Sequence, residues 1–584
     1  MSNAEIAEVF SQIAGLLEIK GESVFKVRAY EKAAQTIAGL TEGLADLRRL
    51  GELRHLPGIG DSIAEKIEEL LDAGRCAFRE ELLKELPAGL LEMLEVPELG
   101  PKKVKLLYNT LGLCTVNQLE RAAQDGKLRE LKGFGEKTEV NILKGIERRR
   151  RFSDRAPLAR AYPLAEAIVT GLKKQAPVKQ IEVAGSLRRM RDTVGDLDIL
   201  TTSDKPGEVI KVFLKLPQVR EVSEKGETKA SIITIGGLQV DLRVVPPESF
   251  GAALLYFTGS KEHNVKLREL ALKQQMRINE YAVSDLATGK RLGGATEEEM
   301  YAALKLPWMP PEIREDRGEI EAAQHHKLPR LVEEKDIRGD LHIHSDWSDG
   351  TASIPELARE ALRRGYEYIA ICDHSPAQAI ARGLETERLR ERNREIEKFR
   401  RQFPELTILA GMEVDIRADG ALDYPDEILA ELDFVIASLH TGWRASEEAN
   451  TERILKAIAN PWVDVIGHPT GRLIGQREAY EVDLEKVFAA AAAAGVALEI
   501  DAHPDRLDLK DTHARRAKEV GCKIVIDTDA HRLANLSLMR FGVATARRAW
   551  LEPKDILNCL PAKKFLAALR PRPEGKGRLR TTAT

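Results

Sequence analysis

Two histidines one residue apart, His342 and His344 in "DLHIHSDWSDG" (340–350), are followed by Asp349 five residues after the second. Side chains at i and i+2 of a strand face the same side, so both imidazoles can serve one metal cluster. The same spacing recurs at Asp529 and His531 in "DTDAH". Eight of the twelve histidines lie beyond residue 340, and six of those fall at expected strand ends. A scatter of hydrogen-bonded core histidines does not give that placement. The candidate ligands are His342, His344, Asp349, His374, Glu413, His440, His468, Asp529 and His531. All are imidazole or carboxylate, which favours Mn2+, Zn2+ or Fe2+ over soft-metal chemistry. Nine ligands exceed what one ion can use, so two or three divalent ions are implied. Clustered ions suit phosphoester hydrolysis, one activating water and another stabilising the leaving oxygen.

A second acidic constellation lies upstream, in "GSLRRMRDTVGDLD" (185–198). Asp196 and Asp198 share one face of a strand, and Asp241 in "QVDLRVV" falls on a neighbouring strand. Three carboxylates on one sheet face repel one another unless cations intervene. Two Mg2+ or Mn2+ ions would relieve that repulsion and also bind a nucleoside triphosphate. Ser186, Arg188 and Arg189, with Gly185 and Gly195 in the same stretch, are candidate phosphate contacts. Read alone, "GDLD" is equally well a solvated strand end.

These residues need elements to hold them. After Arg338 come seven short apolar segments: "DLHIHS", "YIAICDH", "LTILAGMEV", "FVIASLH", "VDVIGHP", "VALEIDA" and "KIVIDTDAH". Helical stretches separate most of them, which predicts a barrel or an open parallel sheet. Ligands at strand C-termini are what a (β/α) barrel site requires. Upstream, "IEVAGSL", "GDLDILTTS" and "ASIITIGGLQVDLRVV" read as strands of one sheet. Pro247 to Pro311 reads as mostly helical with a hairpin over "RINEYAVSDLATGKRL", and the charge-rich stretch 312–337 as a linker with a helical piece.

The first 150 residues read as helical and repeat one unit three times: "LPGIGDSIAEKI", "VPELGPKK" and "LKGFGEKTEVNI". Gly58, Gly60, Gly133 and Gly135 let the backbone turn tightly and let a phosphate approach the N–H groups of the next helix, and any αα-hairpin can use the same Gly-x-Gly turn. Such contacts carry no sequence information. The middle copy lacks the first glycine and reads as a packing unit. "RRRR" (148–151) is either a DNA-backbone patch or a solvated face. The tail "RPRPEGKGRLRTTAT" is basic and Pro/Gly-rich, the composition of a disordered segment.

The totals agree with a soluble chain of several domains. The 584 residues are 43% hydrophobic and 31% charged, enough for several cores. Net charge is −4, so a nucleic-acid partner must meet locally basic surfaces. The five cysteines are scattered, without a CxxC pair, which argues against disulfides and zinc ribbons and fits the reducing cytoplasm. The start "MSNAEIAEVF" lacks the pattern of a signal peptide. The alanine-rich run Phe488–Val496 is too short to span a membrane.

Two resemblances sharpen this reading. "DLHIHSDWSDG", "ICDH", "GMEVD", "SLH", "GHP" and "DTDAH" resemble the successive motifs of the PHP (polymerase and histidinol phosphatase) domain, over Arg338 to about Leu569. That implies a distorted (β/α)7 barrel with a trinuclear phosphoesterase site. "EIDAHPDRLDL" also resembles a family motif, with Asp501 where asparagine is commoner; for Asp501, His503 and Arg506 it implies substrate contact or a structural role. The central constellation resembles the nucleotidyltransferase fold and, through "YFTGSKEHN" (256–264), a family X DNA polymerase of the beta type. By that resemblance Tyr256, Phe257 and Gly259 press on the incoming sugar and exclude a ribose 2′-OH. Asn264 contacts the minor-groove edge of the nascent base, and Arg155 in "RAP" contacts the triphosphate. Lys261 stands where the family often has an acidic or neutral residue. The N-terminal stretch resembles the lyase domain of DNA polymerase beta and the helix-hairpin-helix motif. Lys66 falls at the Schiff-base lysine, with Lys26, Tyr30 and Ser62 at neighbouring DNA-binding pocket positions. Ser62 replaces a lysine there, and a surface phosphate contact or a solvated lysine are alternative roles for Lys66.

The expected architecture is multidomain α/β. A lyase-type helical domain spans 1–80 and a fingers-like helix-hairpin-helix region 81–154. An α+β palm spans 155–246, a thumb-like subdomain 247–311, the linker 312–337, the barrel 338–570 and the tail 571–584. The expected function is gap filling in DNA repair by a monomeric, cytoplasmic polymerase that takes dNTPs on gapped or primer–template DNA. The barrel would act as a Mn2+-dependent 3′→5′ exonuclease, with apurinic-site endonuclease activity as an extra. The rival readings are a phosphatase-type phosphoesterase carrying a DNA-binding module without polymerase activity, a non-catalytic scaffold, and a nucleotidyltransferase for RNA or a small molecule.

Overall fold

The computed structural model describes residues 3–573 apart from 39–43, 57, 88, 95, 97–98, 132 and 154. The side chains of Arg148–Arg151 and residues 574–584 of the tail lie outside the description. Two compact units form, Met1–Asp154 and Arg155–Thr584.

The first unit is helical. Its principal helices are α1 (Asn3–Lys20), α2 (Val24–Ala38), α3 (Asp61–Ala73), α4 (Pro101–Leu111) and α5 (Glu136–Ser153). One core gathers Phe10, Leu17, Ile37, Ile63 and Ile67, and a second gathers Leu90, Val104, Leu107, Leu119 and Ile142. Burying each such side chain contributes roughly 1.5–3 kcal/mol. Gly58 and Gly133 have φ of 82° and 91°, a conformation that costs little only without a Cβ. Each turn feeds a helix start, α3 after Gly60 and α5 after Gly135.

The second unit begins with a five-stranded sheet of β1 (Gln180–Val183), β2 (Asp196–Thr202), β3 (Val219–Lys225), β4 (Lys229–Thr234) and β5 (Gln239–Val244). Their order is β1-β2-β5-β4-β3. β2 and β5 run parallel with Asp198 opposite Asp241, while the other neighbours are antiparallel. The short helix α6 (Gly185–Arg188) links β1 to the loop before β2. Next come α7 (Phe250–Thr258), α8 (Lys261–Lys273) and a small antiparallel sheet of β6 (Met276–Ile278), β7 (Val283–Asp285) and β8 (Arg291–Gly293). Residues 312–337, whose charge reads as a linker, are closely packed at their start: Arg314 and Glu319 are fully buried.

Seven parallel strands complete the unit: β9 (Gly339–Ile343), β10 (Tyr368–Ile371), β11 (Thr407–Asp415), β12 (Phe434–Ser438), β13 (Val465–Ile466), β14 (Ala497–Asp501) and β15 (Ile524–Asp527). They neighbour one another in sequence order. A bridge between Ile343 and Ala530 nearly closes the ring: His344 N donates to Ala530 O at 2.9 Å, and Ala530 N donates to His342 O at 3.2 Å. This nearly closed seven-stranded parallel ring settles the choice that the alternation left between a barrel and an open sheet, and agrees with the (β/α)7 barrel that the PHP resemblance implies. Its strands are continuous apolar runs, as a sheet covered on both faces demands. The alanine-rich run packs as part of the helix Leu484–Ala494, burying Val487, Phe488 and Ala491. Among the described residues no helix is long and apolar enough to cross a membrane.

Candidate active sites

At the C-terminal ends of the barrel strands, the nine expected ligands form one cluster with a carboxylate at its centre. Glu413, 1% exposed, points from β11 into the centre. Its Oε1 lies 3.2 Å from His440 Nε2 and 3.0 Å from His468 Nε2. Its Oε2 lies 2.9 Å from His374 Nδ1, 3.5 Å from His342 Nε2 and 3.8 Å from His344 Nε2. Asp529 Oδ1 sits 3.0 Å from His344 Nε2 and 3.7 Å from His342 Nε2. Asp349 Oδ2 sits 3.3 Å from His531 Nε2 and 3.5 Å from His374 Nε2. His342 and His344 are fully buried, whereas the Asp349 and His531 side chains are about one-third exposed. The cluster therefore opens to solvent on the Asp349–His531 side.

The donor set fits divalent ions. Three groups have ligand atoms close enough to share an ion: His344, Asp349, His374 and His531; His342, His344 and Asp529; His374, Glu413 and His440. His342 Nε2, both nitrogens of His344, His374 Nδ1, His468 Nδ1 and Glu413 Oε2 are buried without a well-aligned hydrogen bond. Each such atom costs about 1–3 kcal/mol when left unpaired, and a cation would take those lone pairs. Two ligand positions hold strained backbone, His468 at φ 26° and Asp529 at φ 47°. Strain of this kind persists where the surroundings over-determine the geometry, as at functional sites.

Charge distributes unevenly here. Burial opposes ionising Glu413, but His440, His342 and His374 outweigh it and hold its carboxyl well below the usual range. Burial also opposes charging His440, yet Glu413 and Asp415 raise it to about 9. Burial together with His531 and His374 lowers His344 to about 4, and burial with Arg506 lowers His468 to about 4. The last two imidazoles are held neutral, the form that binds a cation.

Several supporting carboxylates escaped the motif reading. His342 Nδ1 lies 2.6 Å from Glu499 Oε1, and His440 Nδ1 lies 3.1 Å from Asp415 Oδ1. Each fixes a ring so that Nε2 faces the centre, the usual arrangement behind a ligating histidine. Asp373 accepts from Ser345, Ser348 and the buried Arg392, pinning the loop that carries Asp349. Asp415 and Asp373 both sit inside quoted motifs, and Glu499 lies two residues before Asp501. The available signal was one acidic residue per strand end beyond those needed as ligands. Asp501 is fully buried, with Arg506 Nε 3.3 Å from its Oδ2 and His503 N donating to its Oδ1 at 2.7 Å.

On the five-stranded sheet, Asp198 and Asp241 face each other across the β2–β5 ladder, with Asp196 on the same face of β2. Burial, then repulsion from Asp196 and Asp241, pushes Asp198 up to about 7. A cation between the three would reverse that push, so this trio also fits divalent ions. Gln239 Nε2 donates to Asp241 Oδ1 at 3.1 Å. Gly185 has φ 63°, and a Cβ there would come within 3.0 Å of Asp198 Oδ2. Ser186 and Gly195 are half-buried on either side of the loop that joins α6 to β2. Arg155 anchors that loop, donating from Nε to Thr193 Oγ1 at 3.0 Å and from Nη2 to Thr193 O at 2.6 Å.

The two arginines of "GSLRR" depart from the expectation of open phosphate contacts. Arg188 forks onto Glu297 at 2.8 and 2.9 Å and donates to Thr258 Oγ1 at 2.7 Å. Glu297 also holds the fully buried Arg314 at 2.6 and 3.0 Å. Arg189 pairs with Glu315 at 3.0 Å and donates to Thr258 O. A guanidinium buried without a carboxylate is costly, so these arginines take acidic partners from more than 100 residues away. Arg188 thereby acts as a tie between α6 and the segment beyond α7.

The corner between α7 and α8 gathers Tyr256, Phe257, Gly259 and Asn264. Tyr256 is 40% exposed and meets the Phe257 ring edge-on at 5.1 Å. The Arg243 guanidinium lies 4.4 Å from the Phe257 ring, which ties the corner to β5 two residues past Asp241. Asn264 Nδ2 donates to Tyr256 O at 2.7 Å. Gly259 turns the chain at φ 71°, where a side chain would be strained.

In the helical unit, Lys66 Nζ donates to Ser62 O at 2.9 Å and to Ser62 Oγ at 3.0 Å. Lys66 and Lys26 both lie over the Phe78 ring, at 5.2 and 5.4 Å. Tyr30 corrects an expectation. It is 6% exposed and stacks between Phe10 and Phe78, and burial pushes its hydroxyl up to about 12. Its ring belongs to the core and is closed to a DNA contact.

Comparison with known proteins bears on both sites. Family models match as Helix-hairpin-helix domain over residues 1–76, SAM-like Helix-hairpin-helix tandem over 90–148, DNA polymerase beta thumb over 253–315 and PHP domain over 340–503. The chain is 40% identical over 572 residues to the DNA polymerase/3'-5' exonuclease PolX of Bacillus subtilis (strain 168), covering 98% of this chain and 100% of that protein. It is 34% identical over 234 residues to a probable phosphatase of Thermoanaerobacter sp. (strain X514), covering 38% of this chain and 89% of that protein. It is 24% identical over 342 residues to DNA polymerase lambda of Rattus norvegicus, covering 54% of this chain and 56% of that protein.

Proposed function

The chain belongs to the family X DNA polymerases that carry a C-terminal PHP domain, and from that premise we propose that it fills short gaps during DNA repair and trims 3′ ends with its barrel. The observation that carries the reading is the presence, on one chain, of two separate ligand sets beside a nucleotide-type corner and two helix-hairpin-helix regions. When bound, divalent ions would activate a hydroxyl or water and neutralise charge on the phosphates.

In this reading Asp196, Asp198 and Asp241 hold Mg2+ or Mn2+ for nucleotide addition. Gly185 leaves room beside Asp198, and Ser186, Gly195 and Arg155 face the triphosphate. Arg188 positions α6 through Glu297, and Arg189 positions the Gly259 turn through Thr258. Tyr256, Phe257 and Gly259 form the wall against a ribose 2′-OH, and Asn264 stands beside the base. In the barrel, the nine ligands hold two or three ions of Mn2+, Zn2+ or Fe2+. Glu499 and Asp415 orient the His342 and His440 rings. Gly58, Gly60, Gly133 and Gly135 admit the phosphates of gapped or primer–template DNA to helix starts. Lys26 and Lys66 are further phosphate contacts, with Lys66 the candidate lyase amine. The protein acts in the cytoplasm as a monomer, with dNTPs as substrates, apurinic-site cleavage as an accessory activity and the division at 80, 154, 246, 311, 337 and 570.

A gapped-duplex assay tests this, run with and without dNTPs in Mg2+ and in Mn2+. The expected result is primer extension with dNTPs and Mn2+-stimulated shortening without them. Shortening with no dNTP-dependent extension under any condition would leave the phosphoesterase reading in its place.

A further inference from the structure

A cavity of about 230 Å³ lies in the seam between the five-stranded sheet and the barrel, within the second compact unit. One wall is the loop Met190–Asp192, which leads into β2. The other is built on Leu507, Lys510 and the side chains of Arg472 and Arg548. Neither wall contains a residue of the two ligand sets, although each lies close to one in sequence.

The electrostatics of the seam are lopsided. Arg191, Arg317, Arg472, Lys510 and Arg548 line it, against the carboxylates of Asp192 and Asp511. Both carboxylates are already engaged. Asp511 Oδ2 accepts from Arg317 at 2.9 Å and from Arg548 at 2.8 Å, and Asp192 Oδ2 pairs with Arg472 at 3.2 Å. Behind the wall, Glu315 is shared by Arg189, Arg191 and Arg548. Counting Glu315 together with Arg189 leaves the same excess of three positive charges. Among the described residues Lys510 has no carboxylate partner, and Arg191 holds Glu315 only at 3.4 Å.

The cations are also held in place. Arg472 donates from Nε to Arg506 O at 2.7 Å and from Nη2 to Leu507 O at 2.6 Å, which fixes Nη1 on the Asp192 side. Arg548 Nη1 donates to Arg189 O at 2.7 Å. Fixed like charges around a small space favour an anion, and guanidinium forks match phosphate oxygens in pairs. No aromatic residue lines the space, so nothing there would stack on a base. Its volume equals about eight waters at roughly 30 Å³ each and falls below the roughly 300–1,000 Å³ of sites for organic ligands.

We propose that this seam is a binding site for a small inorganic phosphate anion, pyrophosphate above all, separate from both ligand clusters. Two linked phosphates carry a charge on the order of −3 near neutral pH, which matches the excess of cations. The site does not depend on the polymerase reading, since it needs only the cavity and its charges.

Isothermal titration of sodium pyrophosphate into the full-length protein in excess EDTA tests it, because stripping divalent ions removes metal-mediated phosphate binding elsewhere. Saturable binding is expected. Arg191→Ala with Lys510→Ala should weaken it at least tenfold, and Lys510→Arg should keep it within about threefold. Absence of saturable binding would overturn the proposal, as would equal binding by the double variant or a loss in Lys510→Arg as large as in the double variant. Orthophosphate should bind more weakly than pyrophosphate, and sulfate binding as tightly as pyrophosphate would count against a phosphate site.

Discussion

The barrel cluster and the palm trio ask for the same kind of ion but are built in opposite ways. In the barrel, nine side chains from six of the seven strand ends gather, eight of them about the Glu413 carboxylate, which is 1% exposed, and further carboxylates stand behind the rings. In the palm, three aspartates share a sheet face with no histidine among them, and the nearby arginines are committed to Glu297 and Glu315. In the proposed reading the barrel itself offers most of the ligands. The palm leaves a large share of coordination to whatever lies on the sheet. A hydrolytic site needs water and one phosphate, whereas a nucleotidyl-transfer site must accept ligands from two substrates.

That contrast can be broken at several points. The largest effect is expected at the barrel centre. Glu413→Gln should cut primer degradation by well over the roughly 100-fold that losing a supporting partner gives, with incorporation unchanged. Steady-state rates for both reactions check this, and a parallel fall in incorporation would show that the sites are not independent. Next, Glu499→Gln removes the acceptor beside His342 Nδ1 and should lower metal affinity or degradation by about 10–100-fold. Metal titration of degradation measures it, and a wild-type titration curve would mean that Glu499 does not orient the ring.

The palm makes the opposite prediction. Its Asp198 is raised from 3.8 to about 7, so the folded state holds that proton more tightly than the unfolded state. Stability in metal-free buffer should therefore fall as pH rises from about 4 to about 7. Asp198→Asn should flatten that slope and gain about 2 kcal/mol at pH 8, measured by chemical denaturation in EDTA. An unchanged slope would mean that the trio does not repel as its placement implies. The smallest effect belongs to the helical unit. Lys66→Ala should leave both catalytic rates intact and reduce the salt dependence of DNA binding by about one counterion. Salt titration of binding to a 5′-phosphorylated gap reads it, and an unaltered slope would place Lys66 off the DNA.

The barrel was the more legible region, for the same reason that it is self-contained. Every candidate ligand except Asp349, which lies in the loop after β9, ends an apolar run, so period-two spacing and βα alternation pointed to both the strands and the side they serve. The trio was legible through "GDLD" and its partner strand. What the sequence hid is long-range pairing. Nothing local says that Arg188 will find Glu297, that Glu315 will serve Arg189 and Arg548 together, or that Arg472 will reach Asp192. Tyr30 misled because the lyase-domain resemblance put it at a pocket position, while its ring is captured by Phe10 and Phe78. Glu499 stayed hidden because a carboxylate inside an apolar strand reads as a ligand or as an exception, and only the closing of the ring, which brings β9 to within one strand of β14, shows that it backs His342.

The claim that one chain holds two separable reactions is tested most directly on a single 5′-labelled primer in a gapped duplex. Asp196→Ala with Asp198→Ala should shorten the primer at the wild-type rate and never extend it. His342→Ala with His344→Ala should extend it with dNTPs and never shorten it. If the histidine pair still shortens the primer at the wild-type rate, the nuclease does not reside in the barrel and the account fails.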